Sequence, residues 1–397
     1  MTNTKKLNYG RHLIEKDDID AVVSILKGDF ITQGPIVEQF ESALALKVGA
    51  KFAITVTSGT AALHLACLAA GVKSGSVGIT SAMTFVASAN ALAYCGATAE
   101  LCDIDPKTLN MSPESLNIAL NNKPKTEVVI PVHFSGLTAD SKAIREIAGK
   151  RIIIEDAAHA LGATYSCGNP VGCGAYADMT AFSFHPVKPI TTGEGGAIVT
   201  NDKNLAHKLK TLRTHGIERE AKFFEYKDAA FDKDQQCPWY YEQQNLGFNY
   251  RMTDIQAALG LSQIRKLDSF ITRRRSIAEQ YNHAFKDLKN VKRPQSSEDF
   301  TARSGHHIYI LQFDFNKIGL TRTQIVKSLL AKNICSQVHY IPVYRHPYHA
   351  KKMGFERSSF PRTENYYKSC LSIPLYPGLT DEEVSHVIKS VIEVASA

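Results

Sequence analysis

The stretch Met179–Asn201, M-T-A-F-S-F-H-P-V-K-P-I-T-T-G-E-G-G-A-I-V-T-N, sets the reading of the whole chain. A β-like run, T-A-F-S-F from Thr180, enters a turn in which Pro186 and Pro189 flank Lys188. Gly193, Gly195 and Gly196 follow at once and open a second β-like run from Ala197. Proline fixes its own φ and restricts the residue before it, so the lysine stands on a stiffened turn instead of a mobile surface loop. An amine held this way suits attachment of an aldehyde cofactor as a Schiff base. Burial and cationic neighbours would lower its pKa and make it both nucleophile and proton carrier. Lys188 is therefore the expected catalytic residue of a pyridoxal 5'-phosphate (PLP) enzyme.

Working outward, β-rich runs alternate with helix-period segments from about residue 50 to 201, the pattern of an α/β layer with a largely parallel sheet. Seven strands are expected. They are F-A-I-T-V from Phe52, V-G-I-T from Val77, T-A-E-L-C from Thr98, E-V-V-I-P from Glu127, I-I-I-E-D from Ile152, and the two runs flanking Lys188. Helices are expected over Thr60–Ala70, Ser112–Leu120 and Thr138–Ala148, with Ser112 and Thr138 as N-caps. Thr253–Ala284 reads as one long helix. The aromatic and charged stretch from Glu218 to Leu246 reads as an irregular excursion, and β-like H-I-Y-I-L-Q-F-D-F with helical Thr321–Lys332 suggests a smaller α+β domain. The expected division is a large cofactor-binding domain over 1–250 and a small C-terminal domain over 251–397.

A PLP site must neutralise a phosphate dianion, protonate a pyridine nitrogen and cover a ring. Ser58-Gly59-Thr60-Ala61 follows the first strand and opens a helix, so unpaired N–H groups of Gly59, Thr60 and Ala61 and the Thr60 hydroxyl can hold phosphate. Asp156 ends the fifth strand, where open α/β sheets present ligand groups, and its carboxylate can pair with the pyridine nitrogen. His159 lies on the same side and can reach the ring's phenolic oxygen or stack on the ring. Phe85 can cover the outer face, and Ser183 can donate to the phosphate. Each has a bland alternative: a small-residue turn, a helix-capping aspartate, a core histidine, a core aromatic. The stretch Gly172–Ala177 imitates the G-x-G-x-x-A of dinucleotide sites but precedes a strand where that fingerprint must follow one.

The 397 residues, 44% hydrophobic and 21% charged, exceed what a single core usually serves. A net charge of +7 with no run of five like charges suits an acidic small substrate as well as nucleic acid, and no helix-turn-helix with a basic recognition face occurs. The eight cysteines form no C-x-x-C pair and no metal-ligand rhythm, so no metal is expected. No export core or membrane-length apolar run is evident, and a cytoplasmic protein is expected.

The motifs together resemble the DegT/DnrJ/EryC1/StrS family of PLP-dependent sugar aminotransferases over nearly the whole chain. They are T-Q-G-P at Thr32, S-G-T-A-A at Ser58, T-F-V-A-S at Thr84, E-D-A-A-H at Glu155, S-F-H-P-V-K-P-I-T-T-G-E-G-G at Ser183 and G-F-N-Y-R-M-T-D-I-Q-A-A-L-G from Gly247. Within the family, H-P-V-K-P-I-T-T and V-H-Y-I-P-V-Y at Val338 look most like the subgroup of the pseudaminic acid pathway. The resemblance implies a type I, aspartate-aminotransferase-like PLP fold and a homodimer with active sites at its interface. It implies L-glutamate as amino donor and a UDP-linked 4-ketosugar as acceptor, with other UDP- or dTDP-4-ketosugars as alternatives. It also implies that Asn249 reaches the phosphate bound by the partner chain, and that Tyr9, Asp29, Phe30, Ile31, Thr32, Gly59, Ser183, Asn249, His339 and Tyr340 contact substrate. A sugar dehydratase of this fold has histidine in place of the lysine, which Lys188 argues against. A non-catalytic sensor is disfavoured by Asp156, Ser183 and Lys188 occurring together.

Overall fold

Seven short runs, buried on both faces except at the edge strand Thr98–Cys102, form one sheet in the computed structural model, which describes residues 6–396. The strands are β1 (Phe52–Val56), β2 (Val77–Ser81), β3 (Thr98–Cys102), β4 (Val128–Ile130), β5 (Ile152–Asp156), β6 (Met179–Ser183) and β7 (Gly196–Thr200). They lie in the order β1-β7-β6-β5-β4-β2-β3, with β7 antiparallel to both neighbours and all other pairings parallel. The fold is thus the α/β class expected, with a seven-stranded, mostly parallel sheet.

The period of two along each strand divides the core between two layers. Ile54, Val56, Ala181 and Ile198 pack with Ala62, Leu65 and Ala66 of the helix Gly59–Ala69. Ala53, Phe182, Ala197 and Val199 pack on the other face with Phe40 and Leu44 of the helix Pro35–Val48. In β5 the same alternation separates two adjacent acids. Asp156 faces the open end of the sheet, whereas Glu155 is fully buried and accepts hydrogen bonds from Tyr165 Oη (2.5 Å), Ser141 Oγ (2.8 Å) and Thr180 Oγ1 (3.1 Å). Those donors satisfy a carboxylate that could not otherwise stay in the interior.

A second core forms around an antiparallel three-stranded sheet of Val291–Lys292, Tyr309–Phe313 and Cys370–Ile373, covered by the helices Leu267–Ala284, Arg322–Ala331 and Asp381–Ala395. Two expectations need correction. The long helix from Thr253 is two, Asp254–Arg265 and Leu267–Ala284, divided at Lys266, whose ammonium pairs with Asp17 and Asp18 at the chain's first helix. The helix expected from Thr138 starts at Ser141. Asp140 caps it by accepting from Ala143 N–H, and the Thr138 hydroxyl instead accepts from Arg303. No helix among the described residues is long and apolar enough to cross a membrane.

At the edge that carries the carboxyl ends of β1, β5 and β6, antiparallel β7 contributes its first residue, Gly196. A Cβ there would lie 2.5 Å from the carbonyl carbon and oxygen of Ser58 and 2.7 Å from Gly59 N. Backbone cannot yield as a flexible side chain can. Gly196→Ala is expected to cost about 1–3 kcal/mol through this overpacking, measured as a lower melting temperature; an unchanged melting temperature would remove the constraint.

Candidate active site

Four chain segments meet where β1, β6 and β5 end beside the start of β7. Ser58 caps the helix Gly59–Ala69, its Oγ accepting from Ala61 N–H at 3.1 Å. Ala61 is therefore turned toward the cap and does not line the cavity, whereas Gly59 and Thr60 do. Their N–H groups are the helix's first, with no carbonyl one turn back to accept from them. Gly59 lies so close to β6 that a Cβ would sit 2.8 Å from Ser183 Cβ and 3.1 Å from its Oγ. Backbone N–H groups at the positive end of a helix and the hydroxyl-bearing residues Thr60 and Ser183 line the same part of the cavity, which suits a phosphate dianion.

Across the cavity, Asp156 is almost fully buried. Its Oδ2 accepts from Ser88 Oγ at 2.6 Å and its Oδ1 from Ala158 N–H at 3.2 Å, so the carboxylate is fixed in place while lining the open space. Such a group can hold a proton on a ring nitrogen. Ser88 is itself within 2.8 Å of Thr84 Oγ1. Phe85, 54% exposed, stands on the rim with its ring 5.7 Å from that of Tyr340, free to cover a flat ligand.

His159 is held more tightly than its sequence position suggests. Its Nδ1 accepts from Ser135 N–H at 3.2 Å, which puts the ring proton on Nε2, and Nε2 lies 3.1 Å from Tyr340 Oη. Burial and the neighbouring Lys188 and His339 push its pKa well down, so the ring is neutral. With both nitrogens engaged, it offers the cavity chiefly its face. Nε2–H donates to the Tyr340 oxygen, leaving the Tyr340 O–H to donate elsewhere.

Lys188 sits between these halves. An open cavity lies over it, so the residue counts as half-buried, yet its amine is surrounded by protein atoms. That burial lowers its pKa from 10.5 to about 8 against the opposing pull of Asp156. Its Nζ lies 3.4 Å from Nε2 of His307. The cavity, about 320 Å³, is also lined by Tyr9, Glu194, His307, His339 and Tyr340.

The structure thus brings together Tyr9, Gly59, Thr60, Phe85, Asp156, His159, Ser183, Lys188, His339 and Tyr340. It places the remaining candidates elsewhere on the chain. Asn249 is exposed and bridges to Thr214. Asp29, Phe30, Ile31 and Thr32 form an exposed turn, Phe30 and Ile31 58% and 52% accessible, anchored where Asp254 N–H donates to Ile31 O and Thr32 bridges to Thr253. Sequence reasoning missed Ser88 and His307. Ser88 lies inside the T-F-V-A-S segment already singled out at Thr84, whereas His307 comes from a segment with no motif of its own. The donors, the fixed acid and the buried amine fit PLP at its phosphate, ring nitrogen and aldehyde.

Residues 12–392 match the model of the DegT/DnrJ/EryC1/StrS aminotransferase family. The spore coat polysaccharide biosynthesis protein SpsC of Bacillus subtilis is 40% identical over 392 residues, 98% of this chain and 97% of that one. Among solved structures, PseC of Helicobacter pylori, an aminotransferase involved in the biosynthesis of pseudaminic acid, superposes with a TM-score of 0.87 at 29% identity over 98% of this chain and 99% of its own. A Streptococcus pneumoniae chain described as a sugar aminotransferase, solved in PLP and PMP forms, superposes in its PMP form with a TM-score of 0.86 at 29% identity over 99% of each. The fold, the buried amine in its cup and these likenesses converge: the chain belongs to the DegT/DnrJ/EryC1/StrS family and is a PLP-dependent sugar aminotransferase.

Proposed function

We propose that the chain transfers an amino group from L-glutamate to C4 of a nucleotide-linked 4-keto-6-deoxyhexose, UDP-2-acetamido-2,6-dideoxy-β-L-arabino-hex-4-ulose, the step that yields the 4-amino sugar of pseudaminic acid biosynthesis. The observation that carries the chemistry is the Lys188 amine, enclosed with a pKa near 8, beside the Asp156 carboxylate in one cavity. The choice of sugar is supported by the likeness to PseC and by the H-P-V-K-P-I-T-T and V-H-Y-I-P-V-Y segments. A second reading, another UDP- or dTDP-4-ketosugar, draws on the higher identity to SpsC, whose name places it in polysaccharide synthesis.

Bound PLP supplies an electron sink for the carbanion formed when the donor's α-carbon loses its proton. In this reading Lys188 would hold the cofactor's aldehyde and, as a free amine, would take up and return the proton at the donor's α-carbon. A pKa near 8 leaves a substantial neutral fraction at physiological pH, which a surface lysine would lack. Asp156, steadied by Ser88, would keep a proton on the ring nitrogen. Gly59, Thr60 and Ser183 would hold the phosphate in the same cavity as the Lys188 amine. Phe85 and the face of His159 would cover the ring and exclude water.

Asn249 and the Asp29–Thr32 turn take their place in this reading through a homodimer. Both are exposed and off this chain's cavity, as residues serving a partner's site would be. The apolar Phe30 and Ile31 would then be covered by the second subunit.

Three measurements test the reading. With L-glutamate and a panel of UDP- and dTDP-4-ketohexoses, product analysis by mass spectrometry and NMR should show turnover of the UDP-acetamido sugar above all others; equal turnover of dTDP sugars would move the assignment to the second reading. Lys188→Ala should abolish the visible absorbance of the bound cofactor and multiple-turnover transfer, and Asp156→Asn should cut turnover by about a hundredfold with the fold retained; a Lys188→Ala protein that keeps both properties would refute the lysine's role. Finally, Lys188→Ala and Asn249→Ala chains, each inactive alone, should regain part of the activity when mixed, through heterodimers holding one intact site. No recovery despite confirmed subunit exchange would exclude sharing.

A further inference from the structure

Of the groups around the Lys188 amine, one belongs to no motif and has an unexplained polar atom. His307 is 2% exposed and precedes the strand Tyr309–Phe313 of the small sheet. Its backbone is fixed on both sides: its N–H donates to Ser135 O at 2.8 Å, and its carbonyl accepts from Nη1 of buried Arg274 at 3.3 Å. The turn before it is fixed too. Gly305 N–H donates to Gly136 O at 2.9 Å, and a Cβ on Gly136 would lie 2.7 Å from His306 N. The small sheet thereby delivers one imidazole to the base of the cavity.

The side chain is used unevenly. Nε2 lies 3.4 Å from Lys188 Nζ, while Nδ1 is buried and has no hydrogen-bond partner. Orphaned buried polar atoms are rare enough to call for a reason. Protonation of the ring is opposed by burial first, then by repulsion from a positive charge on the neighbouring Lys188, the other basic neighbours being His159, Arg274 and His339, so the imidazole stays neutral. The other titratable groups facing the amine are Asp156, His159, His339 and Tyr340, with Tyr9, His185 and Glu194 at the cavity wall. Of these, Asp156 is the one whose charge favours the protonated amine.

We propose that His307 is a positioning residue for Lys188, its Nε2 lone pair accepting a hydrogen bond from the Nζ amine whenever that amine is free. The ring proton then resides on Nδ1, which accounts for the orphaned atom as the cost of presenting a lone pair to the lysine. One N–H of the amine is thus spent on His307, which fixes the amine's rotation and confines its lone pair and second N–H to the two remaining positions, with the cavity where a substrate proton must be taken up lying over the residue. Orientation of a base in this way contributes to rate without contributing to substrate affinity.

This inference rests on Lys188 being the reactive amine, and the experiment separates the two. The full-length protein, freed of cofactor, is reductively alkylated with formaldehyde and cyanoborohydride across a pH series, and labelling at Lys188 is followed by peptide mapping. In the unmodified sequence Lys188 should be labelled ahead of surface lysines, with a midpoint near pH 8; if it is not, the lysine assignment fails and this inference with it. A neutral acceptor stabilises the ammonium form, so its removal should lower the midpoint: His307→Leu is expected to shift it down by about one unit. Reloaded with cofactor, the same variant should lose about tenfold in kcat with KM for the amino donor unchanged. His307→Gln, whose amide oxygen reaches the same region, should restore most of both. Should the leucine variant not fold, His307→Asn, too short to reach Nζ, is compared with His307→Gln instead. A midpoint that stays or rises on losing the imidazole, or Gln and Asn variants that behave alike, would overturn the role and reduce His307 to a space-filling residue.

Discussion

Everything at the open end of the main sheet depends on how closely two backbones approach. Gly196, the first residue of the antiparallel strand β7, touches Ser58 and Gly59 at the end of β1, and Gly59 in turn touches Ser183 at the end of β6. These contacts leave no room for side chains, so the N-terminus of a helix, a strand end and the lysine turn after β6 are drawn into one cup. The glycines after Lys188 are thus not loose loop residues; they let the strand return against the cup it helps to build. An amine on a stiff turn would be of little use if the anion site beside it were an ångström further away.

The main sheet was legible because its strands are short and, apart from the edge strand Thr98–Cys102, buried on both faces, which concentrates the apolar signal in each run of five or so residues. All seven form at the expected places. The cup, Asp156 and Lys188 were legible because chain order puts them at strand ends. What escaped lay in contacts far apart in sequence. His307 reaches Lys188 from the small sheet through Arg274 and Ser135, and no local pattern announces it. His159 is engaged by Ser135 and Tyr340, so its most direct polar route to a ligand is already taken. The helix expected from Thr138 starts later because Asp140 is the better-placed oxygen and Arg303 competes for the threonine. The break at Lys266 is set by a cluster of acids near the N-terminus, invisible to a periodicity that runs on smoothly through it.

The two groups of candidates that stand apart from the cavity illustrate the limit of a single chain. Asn249 and the Asp29–Thr32 turn are ordered by ordinary local contacts, a bridge to Thr214 and hydrogen bonds around Thr253 and Asp254, and nothing in those contacts points to a ligand. Family resemblance, not local chemistry, is what singles them out. The roles proposed for them are therefore of a different kind from that proposed for Lys188, whose surroundings would attract notice in any chain.

The paired acids of β5 have a consequence for how this protein can change. Glu155 and Asp156 are neighbours on one strand, yet one is a buried anchor tied to three hydroxyls and the other faces the ligand cavity. Loss or gain of a single residue upstream in that strand would exchange their sides, driving the longer acid into the cavity and the shorter one among hydroxyls it cannot span. Surface loops tolerate changes of length, whereas β5 must keep its count.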